Sequence, residues 1–242
     1  MFGEEYANLY NAFHSGKDYS MEVQIIIESL NLDLSNKLTG FDFGCGTGAH
    51  AHEFRKLGIY IDGFDVSPDM LTVAKKLSPE LIFSDSLNNL KKIYDFTYSL
   101  FDVLSYQVND DDAFKLLSCL HERTKIGGFC LVDSWNSKGV YLDPPKINER
   151  TVSSPYGNVT RRVTPNLSNA KSDLYNLTID LILDSSGEIL KSERHLIRAW
   201  KPLEVLEIMS EIGFQKLEVL NPRNPGTPFR DEDWRFGIRA KK

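Results

Sequence analysis

The segment GFDFGCGTGAH, residues 40 to 50, concentrates the chemistry this chain can do. Gly44, Gly46 and Gly48 lie between an apolar run and a helix-forming one. That spacing permits a tight turn and close approach of backbone to a ligand, with the amides of a helix N-terminus behind it. The same letters satisfy G-x-G-x-x-A, and Asp65 follows about 20 residues on, placed to hold ribose hydroxyls. The glycines alone do not choose between a dinucleotide and another adenosine cofactor, but Asp42 does. A carboxylate at the mouth of the loop repels a pyrophosphate and attracts an ammonium, so the fitting ligand is an adenosine with a zwitterionic methionine tail. Asp85, at the end of a third apolar run, is placed to accept from an adenine amino group, with the Ser86 amide beside it.

Such residues meet only if a sheet lines them up along one edge. From about Leu38 to Ser134 short apolar runs alternate with helix-period segments, the pattern of strand-helix-strand units around a parallel sheet. LTGFDF, YIDGFDV, LIFSD, YDFTYSLFDVL and FCLVDSW read as five strands. Ser67-Pro68 opens one helix with an N-cap and a proline, and Asn109 with Asp110, Asp111 and Asp112 opens another that runs to Gly127-Gly128. Upstream, Tyr6, Leu9, Tyr10 and Phe13 share one helical stripe, and Val23, Ile26, Ile27 and Leu30 share the next. Downstream of about Asn136 come three β-type runs, NVTRRVTP, LYNLTIDLILD and ILKSERHLIRAW, before a helix and the strands KLEVL and WRFGIRA. The expected architecture is a doubly wound α/β, seven-stranded Rossmann-like sheet with an antiparallel β excursion after the fifth strand. Residues 1–30 form a helical cover, 31–135 with 201–242 the cofactor-binding core, and 136–200 the excursion, a substrate cover or dimer surface.

Composition narrows the partners. Across 242 residues, 34 acidic side chains against 28 basic ones give a net charge of -6, which exerts no global pull toward nucleic acid or anionic membrane. No apolar run approaches the ~18–20 residues of a membrane span, and MFGEEYANLY has acids where a signal peptide needs positive charge, so a cytoplasmic location is expected. The three cysteines are far apart, and His50 and His52 are two residues apart on a helix and face away from each other, so no metal site is expected.

On DFGCGTG, GFDVSPDML, FSDS, YDFTYSLFDVLSYQ and IGGFCLVDSW, in that order, the chain resembles the class I S-adenosylmethionine-dependent methyltransferases. The opening YANLYNAFHSGKDYSMEV and the late HLIR look like a small-molecule branch that includes N-methyltransferases of nucleotide-linked amino sugars. The resemblance implies S-adenosyl-L-methionine as cofactor and methyl transfer to a small polar acceptor, most of all the amine of such a sugar. An O- or carboxyl-methyltransferase, an NAD-dependent oxidoreductase and a nonenzymatic cofactor-binding regulator are the rival readings. Cys45, Val66 and Phe101, with Tyr19 on the cover, join Asp42, Gly44, Gly46, Asp65, Asp85 and Ser86 as expected cofactor contacts.

A sulfonium methyl is already activated, so the enzyme must chiefly align an unprotonated amine with the C–S bond at roughly 3 Å and exclude water. Tyr10, on the cover, and His195, in KSERHLIRAW, are the candidate catalytic groups. Tyr106, after the fourth strand, Trp135, after the fifth, and Arg198 are the candidate acceptor contacts. Arg161, Arg162 and Arg194 lie in the same β excursion, where residues 151 to 201 hold seven basic against five acidic side chains. Guanidinium forks match phosphate oxygens, so this segment is where a diphosphate would be received. A homodimer is compatible with the same segment.

Overall fold

A computed structural model of the chain describes residues 9, 12–13, 16–91, 93–154, 157–166 and 173–242. In chain order the elements of its first half are α1 (Tyr19–Leu30), β1 (Thr39–Phe43), α2 (Ala49–Lys56), β2 (Tyr60–Phe64), α3 (Pro68–Leu77), β3 (Phe83–Ser84), β4 (Tyr94–Ser99), α4 (Asp110–Arg123) and β5 (Thr124–Trp135). Then follow α5 (Ser137–Leu142), β6 (Asn148–Ser154), β7 (Gly157–Asn166), β8 (Leu174–Leu183), β9 (Glu188–Arg198), α6 (Pro202–Ile212), β10 (Gln215–Leu220) and β11 (Arg235–Lys241). Local chemistry sets the helix starts. Asp18 accepts from the Met21 amide at 2.9 Å, Ser67 caps α3 just before Pro68, and Asn109 accepts from the Asp112 amide at 2.9 Å.

One sheet has the order β10-β11-β5-β4-β1-β2-β3. β1 pairs in parallel with β2 and β4, whereas β11 runs antiparallel to both β5 and β10. Strand order therefore reverses between β1 and β4, and the carboxyl ends of these strands border the crevice in which open α/β sheets bind ligands. Apolar side chains cover both faces. Val23, Ile26, Ala51, Phe54 and Leu71 pack on one face, and Leu116, Leu117, Leu120, Val205 and Met209 on the other. Trp200 is fully buried in the second cluster, and its indole N–H donates to the Leu104 carbonyl at 3.2 Å. Truncating it to Ala would cost ~3–5 kcal/mol.

The doubly wound sheet with an antiparallel excursion is the expected architecture. β6, β7, β8 and β9 form a separate antiparallel meander. Leu9 and Phe13 pack against Val159 and Leu181 of this second sheet, while Trp135 and Val140 pack against Tyr175, Leu177 and Ile197.

Four details differ from the sequence expectation. β4 stops at Ser99 because Phe101 and Asp102 take positive φ, 61 and 69°, which no strand continues. α4 ends at Arg123, not at the glycine pair, because the Thr124 hydroxyl donates back to the Leu120 carbonyl at 2.7 Å and Thr124 already pairs with Tyr94 in the sheet. Gly127 and Gly128 instead lie where the β4–β5 register slips. The excursion has a fourth strand, β6, whose mostly exposed residues show no hydrophobic alternation to read, and α5 is too short to show a period.

Candidate active site

The glycine loop and the end of β2 clasp each other. Gly44 and Cys45 donate to the Phe64 carbonyl at 2.7 and 3.0 Å. Asp65 takes the Gly46 amide on Oδ2 at 2.8 Å and the Ser67 amide on Oδ1 at 2.9 Å, leaving each oxygen a further lone pair toward a ligand. Gly44, at φ +88°, has no room for a side chain, because an added Cβ would sit 2.5 Å from Val103 Cγ2. Gly46, at φ +54°, meets nothing within 4 Å, so the loop keeps an open cradle beside Asp65. Cys45 turns its thiol into the core, where burial pushes its pKa well up, and offers the site its backbone only. Val66 is 80% exposed on the rim. Asp85 is exposed, while the Ser86 amide donates to Ser84 Oγ at 3.0 Å.

Asp42 lies under this loop, 4% exposed, and burial pushes its carboxyl up to about 8. The Tyr98 hydroxyl faces it and offsets part of that rise without a hydrogen bond of normal geometry, and the negative charge of Asp65 adds to the rise. A cationic ligand group would release the proton, since an ammonium favours the ionised carboxylate.

Beyond β4 the chain is held in a strained pair of left-handed residues, a conformation that costs non-glycine residues of order 1–3 kcal/mol each. Its supports are specific. Arg235 grips Asp102 with two bonds of 2.6 Å, and the Asp102 amide donates to Asp133 at 3.0 Å. Asp133 is buried and raised to about 7, first by desolvation and then by the Asp102 charge. Phe101 stacks on His50, their ring centres 4.7 Å apart. From the segment just before α1, Lys17 places its ammonium 3.2 Å from the centre of the Phe101 ring, and Tyr19 meets His50 edge-on. His50 Nε2 lies 2.9 Å from Glu22, and burial lowers its pKa, so the neutral ring donates to the carboxylate. His52 turns away to Ser78, 3.0 Å from its hydroxyl.

This group contains residues that sequence reasoning missed. Asp133 stood at the carboxyl end of FCLVDSW, a readable position. Lys17 and Glu22 lay in SGKDYSMEV beside the expected Tyr19. Arg235 comes from the last strand and had no local signal.

Between the end of β4 and β9 the structure joins two predicted residues from distant parts of the chain. Tyr106 Oη lies 3.1 Å from His195 Nδ1. His195 Nε2 is buried without a hydrogen bond of normal length and stands 3.6 Å from Glu193. Trp135 packs with Trp234 and Tyr175, ring centres 4.4 and 6.1 Å away. Arg198 points elsewhere: it bridges Asp110 at 2.6 Å and Glu204 at 3.4 Å while lying 3.5 Å over the Trp200 ring. Arg162 pairs with Glu149 across β6 and β7. Tyr10 and Tyr6 lie outside the described residues.

An open cradle at Gly46, acceptor oxygens at Asp65 and a buried carboxyl at Asp42 fit an adenosine with an amino-acid tail. Residues 41–128 match the family described as "Methyltransferase domain". A dTDP-3-amino-3,4,6-trideoxy-alpha-D-glucopyranose N,N-dimethyltransferase of Streptomyces venezuelae is 25% identical over 140 residues, 56% of this chain and 59% of that protein. A dTDP-4-amino-2,3,4,6-tetradeoxy-D-glucose N,N-dimethyltransferase of Saccharopolyspora spinosa is 24% identical over 148 residues, 59% of each. The chain thus spans about three-fifths of the length of the curated relatives it matches. Among solved structures, an S-adenosylmethionine-dependent methyltransferase of Clostridium acetobutylicum superposes with a TM-score of 0.77 at 17% identity, covering 98% of this chain and 97% of that one. A sugar N-methyltransferase of a Streptoalloteichus species gives 0.75 at 19%, covering 100% and 95%. Residues 41–128 therefore match a methyltransferase domain, and the chain around them has the fold of these solved structures.

Proposed function

We propose that the chain transfers a methyl group from S-adenosyl-L-methionine to the amine of a nucleotide-linked amino sugar. The observation that carries the cofactor half is the clasp of Gly46 on Asp65 above buried Asp42: ribose acceptors at one end, an ammonium partner at the other. The acceptor half is supported by the two curated relatives, both named as N,N-dimethyltransferases of dTDP-linked amino sugars.

Bound there, the cofactor would supply an activated methyl on sulfur, so the chain's own work is alignment, exclusion of water and handling of one proton. The glycine loop and Asp65 would fix the adenosine, while Asp42 and the Phe101–Asp102 turn hold the amino-acid end. On the acceptor side we assign Tyr106 Oη to the sugar amine. Glu193 near Nε2 favours the tautomer with its proton there, which leaves His195 Nδ1 to accept from Tyr106. The proton lost by the methylated amine then has a path through Tyr106 Oη to His195. Arg198, already paired with two carboxylates, is an unsuitable phosphate receptor in this arrangement.

The test is turnover of the intact chain with S-adenosylmethionine and matched nucleotide sugars bearing an amine or a hydroxyl at the same carbon. The proposal expects a product heavier by one or two methyl groups from the amine alone. A methylated hydroxyl sugar with no reaction of the amine would replace it with the O-methyltransferase reading.

A further inference from the structure

The cover places one cation at the mouth of the cleft that the cofactor contacts drawn from the sequence did not include. Lys17 is removed from water over most of its side chain, which is 25% exposed. Its ammonium stands 3.2 Å from the centre of the Phe101 ring and 3.1 Å from Glu22 Oε2. That same Glu22 oxygen also accepts from His50 at 2.9 Å. One oxygen thus serves two donors, while an ammonium carries three N–H groups, so Lys17 has capacity for another acceptor.

Its setting indicates which acceptor. Phe101 follows β4, whose Ser99 hydroxyl donates to the Phe43 carbonyl at the end of β1, so Lys17 overlies the crevice between those two strands. Asp42, near the carboxyl end of β1 beside Asp65 and Tyr98, is suited to an ammonium. A positive charge on the cover and a carboxyl beneath match the two ends of a zwitterion. Burial lowers the Lys17 pKa by more than Glu22, in contact, and Asp133, at longer range, raise it, so a further anion in contact would relieve a partly desolvated cation. The usual alternative, a solvated surface lysine, does not suit an ammonium held between an aromatic face and a shared carboxylate.

We infer that Lys17 is the partner of the cofactor's carboxylate, so that the cover selects for the amino-acid tail as well as closing the site. This rests on the S-adenosylmethionine reading above. It makes Lys17 a specificity-determining residue, while Glu22 and His50 hold it in place.

The experiment compares two ligands by calorimetry on the intact chain: S-adenosylhomocysteine, which has the tail, and 5′-methylthioadenosine, which lacks it. Lys17→Met should weaken S-adenosylhomocysteine about 10- to 100-fold, the range for a hydrogen bond to a charged group, and change methylthioadenosine by less than about twofold. Lys17→Arg should keep most of the affinity for the first ligand. Retained methylthioadenosine binding also certifies that Lys17→Met is folded. Equal loss of both ligands would assign Lys17 a merely structural role and overturn the inference, as would no loss of either. If the unmodified chain binds neither ligand, the cofactor reading itself fails, an outcome separate from the variant results.

Discussion

Replacing Asp42 by Asn keeps the shape of the side chain and removes only its ability to ionise. The folded carboxyl titrates near 8 against an ordinary 3.8, with desolvation as the largest cause. Between those values the folded chain holds a proton that the unfolded chain has lost, so stability falls as pH rises, by about 1.4 kcal/mol per unit. At neutral pH the accumulated cost is roughly 4 kcal/mol in a rigid dry site, and relaxation with water entry reduces it to ~2 kcal/mol. Asn does not incur that cost. Asp42→Asn should therefore match the parent near the acidic end of the range and exceed it at neutral pH, by about 4–8 °C in Tm for a chain of this size. Asp133, also raised, to about 7, titrates in both proteins and cancels in the difference. The assay is thermal unfolding by circular dichroism across pH. A difference that does not grow with pH, or an Asn variant less stable at neutral pH, would refute the reasoning. The same variant should lose about 10- to 100-fold in affinity for S-adenosylhomocysteine, since its ammonium loses a charged partner.

Four other substitutions probe the remaining parts of the site. Asp65→Ala removes the ribose acceptors and the clasp on Gly46, so calorimetry should show S-adenosylhomocysteine and adenosine weakened together, each by about 10- to 100-fold. Gly46→Ala forces a left-handed alanine at a cost of ~1–2 kcal/mol, and its methyl enters the open cradle, so cofactor KM should rise at once with a small drop in Tm. Tyr106→Phe should lower kcat by about 100-fold with little change in cofactor KM, and His195→Gln should lower kcat by a similar factor. If both variants keep the parental rate, the pair only packs.

The glycine loop and the carboxylates around it were legible because their signals are local. Three glycines, a carboxylate two residues ahead and another after the next strand sit on short connections whose positions follow from strand ends. The alternation of apolar runs and helical stripes likewise gave the strand-helix order, with Leu117 and Phe96 buried on opposite faces of the sheet. Elements with little buried surface were not legible. β6 exposes most of its side chains, and the turn at Phe101 and Asp102 depends on Arg235, 133 residues beyond Asp102. The contact of Tyr106 with His195 spans 89 residues and two sheets, so each residue could be singled out but their meeting could not.

On the proposed function, the crevice between β1 and β4 takes an adenosine with a zwitterionic tail rather than a dinucleotide. Calorimetric titration of the intact chain with S-adenosylhomocysteine and, separately, with NAD tests it most directly. Saturable binding of the first is expected, with proton release near neutral pH as Asp42 ionises, and no binding of the second. Binding of NAD without S-adenosylhomocysteine would contradict it.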